Sequence, residues 1–415
     1  MKAISKTISQ MGPVSEPRTA VPAGYVRWLV LFLCWCAQTL TFVDRLAWAT
    51  VAVEAGDALS IPVKVLGVFV TSFYVGYVSS NIVGGLSTDR FGPERVVLAS
   101  LAPLGIATFF FGFTQNIPGG LIFQFLMGLA AGANYAATVK LTMAWFPSAE
   151  RGRAMGLLTS ATSFGVVLAN ALVPTISAMA GWRMSYHFLG VATLIFGICA
   201  FAFLRRRPVT LQAAPAGWVN PFTVLARRSS LLLAVAGFCA MFSTWGVAFW
   251  ANALMTKNFG MSAIQSGGII ALFGLAGMAS KPAIGFVLDR VGQQRKKLLL
   301  ITVFTLFAIG LAVYGNLTSP MQLRIVTPLL GFVAFIYTPL LIAMVSEAAG
   351  PERTGTAVGA TNAIWQLGSV IVPLAVGFVF DATGSFKAAF LLLAGGPILA
   401  AIIMLGVPTW PSPDR

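Results

Sequence analysis

The sequence predicts an all-α polytopic membrane protein with twelve transmembrane helices in two six-helix bundles. Three observations carry that reading. First, 57% of the 415 residues are apolar and only 9% are Asp, Glu, Lys or Arg, against roughly 45–50% and about 25% in soluble domains. Second, the apolar residues gather into runs long enough to cross a ~30 Å hydrocarbon core, which takes about 20 residues of helix. Third, one loop motif occurs twice with identical spacing, which marks two duplicated units. A soluble enzyme is excluded.

The first 24 residues are polar and punctuated by Pro and Gly, without the small-residue cleavage site that follows a signal peptide. They are expected to form a retained, disordered cytoplasmic tail, with residues 1–25 outside the bundles. Apolar runs then predict spans near 28–53, 64–87, 96–114, 119–146, 154–180 and 186–204, the N-terminal bundle of residues 26–204. Residues 205–229 open with Arg205, Arg206 and Arg207 and close with Arg227 and Arg228, and form a cytoplasmic linker. A second set near 231–254, 263–288, 298–315, 322–347, 355–380 and 388–407 makes the C-terminal bundle of residues 230–408, and 409–415 is a short tail.

Orientation follows from the basic residues. With both termini cytoplasmic, the tails and even-to-odd loops hold 19 Lys and Arg, while the opposite face holds five: Lys64, Arg183, Lys257, Arg324 and Lys387. This asymmetry fixes topology. It also explains the formal charge of +15 without a nucleic-acid partner, because no basic domain gathers the charges into one surface. Cys34, Cys36, Cys199 and Cys239 lie inside apolar runs and read as packing residues. The single histidine, His187, has no companion set, so neither catalysis nor a metal or other cofactor is expected.

The repeated motif is Gly85, Asp89, Arg90, Gly92, Arg95 after the second span and Gly285, Asp289, Arg290, Gly292, Arg295 after the eighth, at an offset of 200 residues. Glu150-Arg151 and Glu352-Arg353 give a second echo. An Asp at a helix end can pair with arginines across a helix interface, and the glycines allow tight turns and close packing. These residues are assigned to a gate at the cytoplasmic closure.

Three of the 27 basic residues fall inside spans: Arg45, Lys140 and Lys281. A charge at that depth costs roughly 2.5–3.5 kcal/mol on insertion scales and usually faces a cavity or a partner. Asp44 adjoins Arg45, but neighbours on a helix point about 100° apart, so each is expected to find its own partner. The two either line a cavity or orient helices. Lys140 lies five residues before Trp145 and either lines the pathway or snorkels to the surface. Lys281 precedes Asp289 by eight residues, about 12 Å of helix; it holds substrate or pairs structurally. Three cations against one carboxylate make the interior electropositive and suited to an anion. Trp245, Trp250, Tyr337 and Trp365 are available aromatics, most of them core, with Asn252, Asn362 and Gln366 as polar partners.

Over essentially its full length the chain resembles the major facilitator superfamily, whose signature the doubled Gly-x-x-x-Asp-Arg-x-Gly-x-x-Arg loop is similar to. The Asp44-Arg45 pair, Trp145-Phe146-Pro147 and Glu150-Arg151 resemble its anion:cation symporter branch, which carries organic anions, often with protons. The resemblance implies the two-bundle fold, substrate contact by Arg45, and pore-lining Tyr77 and Asn81 beside Gly84-Gly85, unless these two merely pack. Lys281-Pro282-Ala283-Ile284-Gly285 looks like the eighth helix of monocarboxylate transporters, where an arginine meets the substrate. The chain departs from its apparent relatives at Ala131, where many proton-coupled members have glutamate, and at Gln124, where arginine is common. Asp44 becomes the candidate proton carrier, with anion and carboxylate competing for Arg45 so that the two bindings are linked.

The function expected is uptake of a small organic anion, a carboxylate or sulfonate with one or two charged ends, by proton symport through alternating access. Exchange, drug efflux and a non-transporting sensor are the alternatives. The chain is expected to work as a monomer among lipids in a bacterial inner (plasma) membrane, with the anion and a coupling cation, a proton by family likeness, as its small-molecule partners.

Overall fold

The computed structural model describes residues 24–147, 150–205, 225–288, 293–349 and 354–408. The tails, the centre of the linker and Asp289, Arg290, Gly292, Glu352 and Arg353 lie outside the described residues. Within them stand twelve helices, each long and apolar enough to cross a membrane: α1 (Gly24–Ala58), α2 (Val63–Phe91), α3 (Pro93–Phe111), α4 (Ile117–Trp145), α5 (Arg151–Ala180), α6 (Trp182–Leu204), α7 (Arg228–Phe259), α8 (Ala263–Leu288), α9 (Gln293–Gly315), α10 (Pro320–Ala349), α11 (Thr354–Thr383) and α12 (Phe386–Leu405). The protein is an integral multi-pass membrane protein. In lipid only helices or closed barrels satisfy every backbone polar group internally, and these apolar runs take the helical solution. The side where α1 begins and α12 ends is the tail face; the opposite side is the far face.

Most helices outrun their apolar cores. α1 ends at Ala58 rather than near residue 53, so Glu54 and Asp57 belong to its last turns. There the Ser177 hydroxyl donates to Glu54 Oε2 at 2.5 Å. α3 stops three residues short of the expected 114, at Phe111. Asn116 then caps α4, its side chain accepting from the Gly119 amide at 2.8 Å, as short polar side chains do at helix starts. Gly92, alone between α2 and α3, has φ +86°. That conformation is open to glycine at little cost, which gives this motif residue its reason.

Each bundle is held by small residues that bring helices close, the packing mode of membranes. A Cβ at Gly128 on α4 would run into the Phe73 carbonyl oxygen of α2. In the second bundle, Gly331 on α10 meets the Phe273 carbonyl of α8 in the same way. Phe73 and Phe273 stand 200 positions apart, so the duplication seen in the loop motif recurs in the packing. His187 is structural: its Nδ1 lies 3.0 Å from the Phe109 carbonyl oxygen, joining α6 to α3. Cys34 and Cys239 are buried, Cys36 is half-buried and Cys199 is exposed; all four are free thiols.

The halves meet along α1 and α7, α2 and α11, and α5 and α8. On the far face Lys257 pairs with Asp57 at 3.4 Å and Lys64 with Asp381 at 3.9 Å. Deeper, Thr71 donates to the Val370 carbonyl at 3.1 Å and Asn252 Nδ2 to Asn170 Oδ1 at 2.7 Å.

The packing yields a paired test. Gly128→Ala forces α2 and α4 apart and is expected to lower thermal stability in detergent, by about 1–3 kcal/mol. Gly156→Ala, in open space on α5, is expected to be neutral or stabilising by up to ~1 kcal/mol. Equal unfolding temperatures for the two variants would refute the close-approach account.

Candidate functional site

Arg45 sits at mid-helix on α1 and is only 4% exposed. Its guanidinium is enclosed by four aromatic rings, with ring centroids 4.8 Å away for Phe42, 4.2 Å for Tyr74, 4.5 Å for Tyr77 and 5.1 Å for Trp245. Local periodicity builds most of this cage. Phe42 is three residues before Arg45, on the same helix face, and Tyr74 and Tyr77 are likewise three apart on α2. Trp245 comes from α7 in the other half and stacks on Phe42 at 5.7 Å. None of the three guanidinium nitrogens has a well-aligned hydrogen-bond partner among the described residues; the Tyr74 hydroxyl stands near both the guanidinium and Ser369 without an aligned bond to either. Cation–π contact contributes about 2 kcal/mol or more where the ion is desolvated, yet five N–H donors are left without acceptors. The cage is an environment that holds a cation and leaves its N–H donors without an acceptor.

Asp44 turns the other way, into the first bundle. Its Oδ2 accepts from the Thr193 hydroxyl of α6 at 2.9 Å, while Oδ1 has no partner among the described residues. The expected competition between an anion and Asp44 for Arg45 has no counterpart here, because the two side chains form no ion pair. Their positions one residue apart aim them at different neighbours, as the 100° step requires.

Lys281 on α8 crosses to the first half, where its Nζ donates to the Thr159 carbonyl at 3.1 Å and the Thr162 hydroxyl at 2.7 Å on α5. The Phe335 ring lies 5.4 Å away. Of the two roles open to this lysine, the structure shows the structural pair in this state. Thr159 and Thr162, spaced by three, present their groups on one face of α5; that spacing is visible in the sequence, but the partner helix is not.

The other expected residues are less gathered. Tyr77 belongs to the cage, and Asn81 follows one turn nearer the tail face, half-buried. Lys140 on α4 is half-buried and engaged with neighbours. Asn362 and Gln366 are half-buried on α11, where Gln366 Oε1 lies 3.4 Å from the Ser369 hydroxyl. Three of the four named aromatics are core residues: Trp250 donates to the Pro373 carbonyl, Trp365 to the Leu233 carbonyl, and Tyr337 contacts the Thr244 hydroxyl. Of the gate motif, Gly85 and Asp89 lie in the tail-face turns of α2, Gly285 in α8, and Arg90, Arg95 and Arg295 are exposed at the tail face. Among the described residues no group of His, Cys, Asp and Glu is placed to hold a metal.

Comparison with known proteins places this geometry. The chain is 24% identical to a hexuronate transporter of Bacillus subtilis, covering 91% of this chain and 93% of that one. It is 26% identical to a probable sulfoacetate transporter of Cupriavidus necator, over 94% and 96% of the two chains. A probable galactarate/D-glucarate transporter of B. subtilis shares 23% identity over 93% of each. Among solved structures, a bacterial homologue of the human lysosomal transporter Spinster, in an inward-facing and occupied conformation, superposes with a TM-score of 0.73 at 15% identity, covering 92% and 96% of the chains. Residues 28–373 match the Major Facilitator Superfamily throughout, and the chain belongs to that family.

Proposed function

We propose that this protein is a secondary transporter for a small organic anion, a carboxylate or sulfonate, taken up with a proton by alternating access. The observation that carries the reading is Arg45: a charge almost fully removed from water, in an aromatic cage, with every N–H donor lacking an acceptor. An isolated buried charge is costly, and a carboxylate or sulfonate would supply paired oxygens in the fork geometry that guanidinium favours. The names of the relatives support the substrate class, since hexuronate, glucarate and sulfoacetate are all organic anions. Glucarate and sulfoacetate carry two anionic ends, which favours a dianion here.

Lys281 is proposed to receive the second anionic end by leaving Thr159 and Thr162 for the substrate. The exchange replaces neutral acceptors with a charged one, and charge-assisted hydrogen bonds are roughly twice as strong. The excess of basic residues on the tail side supports cytoplasmic termini and a bacterial inner membrane. In that orientation the Lys257–Asp57 and Lys64–Asp381 pairs between the halves lie on the outer side.

For coupling, Asp44 is the proton site of choice, a buried carboxyl beside the anion anchor along the chain. Because the two side chains do not touch, coupling is proposed to run through α1: anion binding moves Arg45 and with it the Asp44–Thr193 contact.

In proteoliposomes, Arg45→Ala and Lys281→Ala are each expected to lower uptake of a dicarboxylate such as glucarate by about 30-fold or more, the usual cost of losing one partner of a buried charge pair. Both variants should remain folded and monodisperse, since neither side chain anchors a hydrogen-bonded carboxylate. Undiminished uptake in both would refute the anion site. Asp44→Asn is expected to keep counterflow exchange and to lose accumulation driven by an inside-alkaline pH gradient. Gradient-driven accumulation by that variant would remove Asp44 from the coupling mechanism.

A further inference from the structure

A cavity of about 600 Å³ opens at the tail face, lined by residues of the first half alone. Arg90 and Phe91 at the end of α2, Gly92, Glu94 and Arg95 at the start of α3, and Phe201 and Arg205 at the end of α6 line it. The three arginines are exposed, and none of them makes an ion pair among the described residues. Against the single Glu94 they leave the cavity with a net positive charge. Arg90 and Arg95 belong to the motif assigned to a gate between the halves, yet here they gather with α6 of their own half.

The cations are only the upper part of the feature. Phe91 is 52% exposed, and Phe201 lies one turn below Arg205. Continuing down α6, Ile198 and Ile195 are 52% and 57% exposed. The steps from Arg205 to Phe201, Ile198 and Ile195 are four, three and three residues, which keeps them on one face of the helix. A cationic mouth at the level where the spans end thus passes into an apolar lane along the outside of the bundle. A soluble anion would use the arginines and nothing else. An amphiphile would use both.

We propose that this cavity binds the phosphate headgroup of an anionic phospholipid, with an acyl chain lying along the Phe201, Ile198 and Ile195 face of α6. Basic pockets beside transmembrane helices on the cytoplasmic side suit such headgroups, and each Lys or Arg near an anionic surface adds roughly fivefold to affinity. The bound lipid occupies arginines of the gate motif, so its chemistry reaches the turn between α2 and α3.

The test uses the full-length protein in neutral detergent, with thermal unfolding followed during titration with mixed micelles of dioleoylphosphatidylglycerol, with dioleoylphosphatidylcholine, or with inorganic phosphate. Phosphatidylglycerol is expected to raise the unfolding temperature saturably, whereas phosphatidylcholine and phosphate are not. Arg205→Gln should weaken the phosphatidylglycerol response about fivefold, and the triple variant Arg90→Gln, Arg95→Gln, Arg205→Gln should abolish saturation. Arg324→Gln, an exposed arginine on the far face, should respond like wild type. If the triple variant does not fold, Arg205→Gln, which lies outside the motif, carries the test alone. An unchanged response in Arg205→Gln would overturn the site, and an equal shift with inorganic phosphate would overturn the lipid in favour of a soluble anion.

Discussion

Charge placed inside an apolar slab must find a partner, a cage or water, and this constraint organises the interior. Arg45, Asp44 and Lys281 each meet it differently. Arg45 has four π faces from both halves, Asp44 has one hydroxyl within its own bundle, and Lys281 has a carbonyl and a hydroxyl across the interface. The helices that carry the arginine and the lysine, α1 and α8, are among those through which the halves touch. The interface between the bundles thus carries polar groups whose desolvation is only partly offset, while close glycine contacts draw the helices together within each bundle.

The twelve spans were legible because lipid imposes one length and one composition on every crossing element. Their ends were less so. α1 carries Glu54 and Asp57 beyond its apolar run because helix propagation continues past the hydrocarbon edge as long as side chains such as Ser177 satisfy the charges. At the candidate site, the cationic residues stood out through cost alone and Tyr77 through family resemblance, whereas Phe42 and Tyr74 join the cage only once α1 and α2 are packed. Trp245, Thr159, Thr162 and Thr193 were not assignable as partners, since each contact depends on which helices pack together. That information lies in tertiary structure and has no local signature.

Duplication adds a second kind of meaning. At the motif's offset of 200 residues, Arg45 corresponds to Trp245, Asp44 to Thr244 and Lys281 to Asn81. The backbone contact of Phe73 with Gly128 is repeated by Phe273 with Gly331, so the scaffold of the two halves was kept alike. The polar residues of the interior were not. Related positions now hold a charged residue in one half and a neutral one in the other, and Arg45 and Trp245 face each other at 5.1 Å. A symmetric scaffold presents an asymmetric surface, which lets an asymmetric solute be bound in one orientation.

The mixed parentage of the aromatic cage has a thermodynamic meaning. Three of its walls move with the first half and the fourth with the second, so any rearrangement that parts α1 from α7 changes the surroundings of the arginine. Its affinity for an anion and the equilibrium between conformations then cannot be set independently. A ligand shifts such an equilibrium only by the difference between its binding free energies to the two states. Under the proposed alternating access, Trp245 contributes to that difference if parting the halves carries its ring away from Arg45. The ring that stabilises the empty cation is thereby also a coupling element, and its size and polarity set how strongly occupancy at Arg45 and the separation of the halves report on one another.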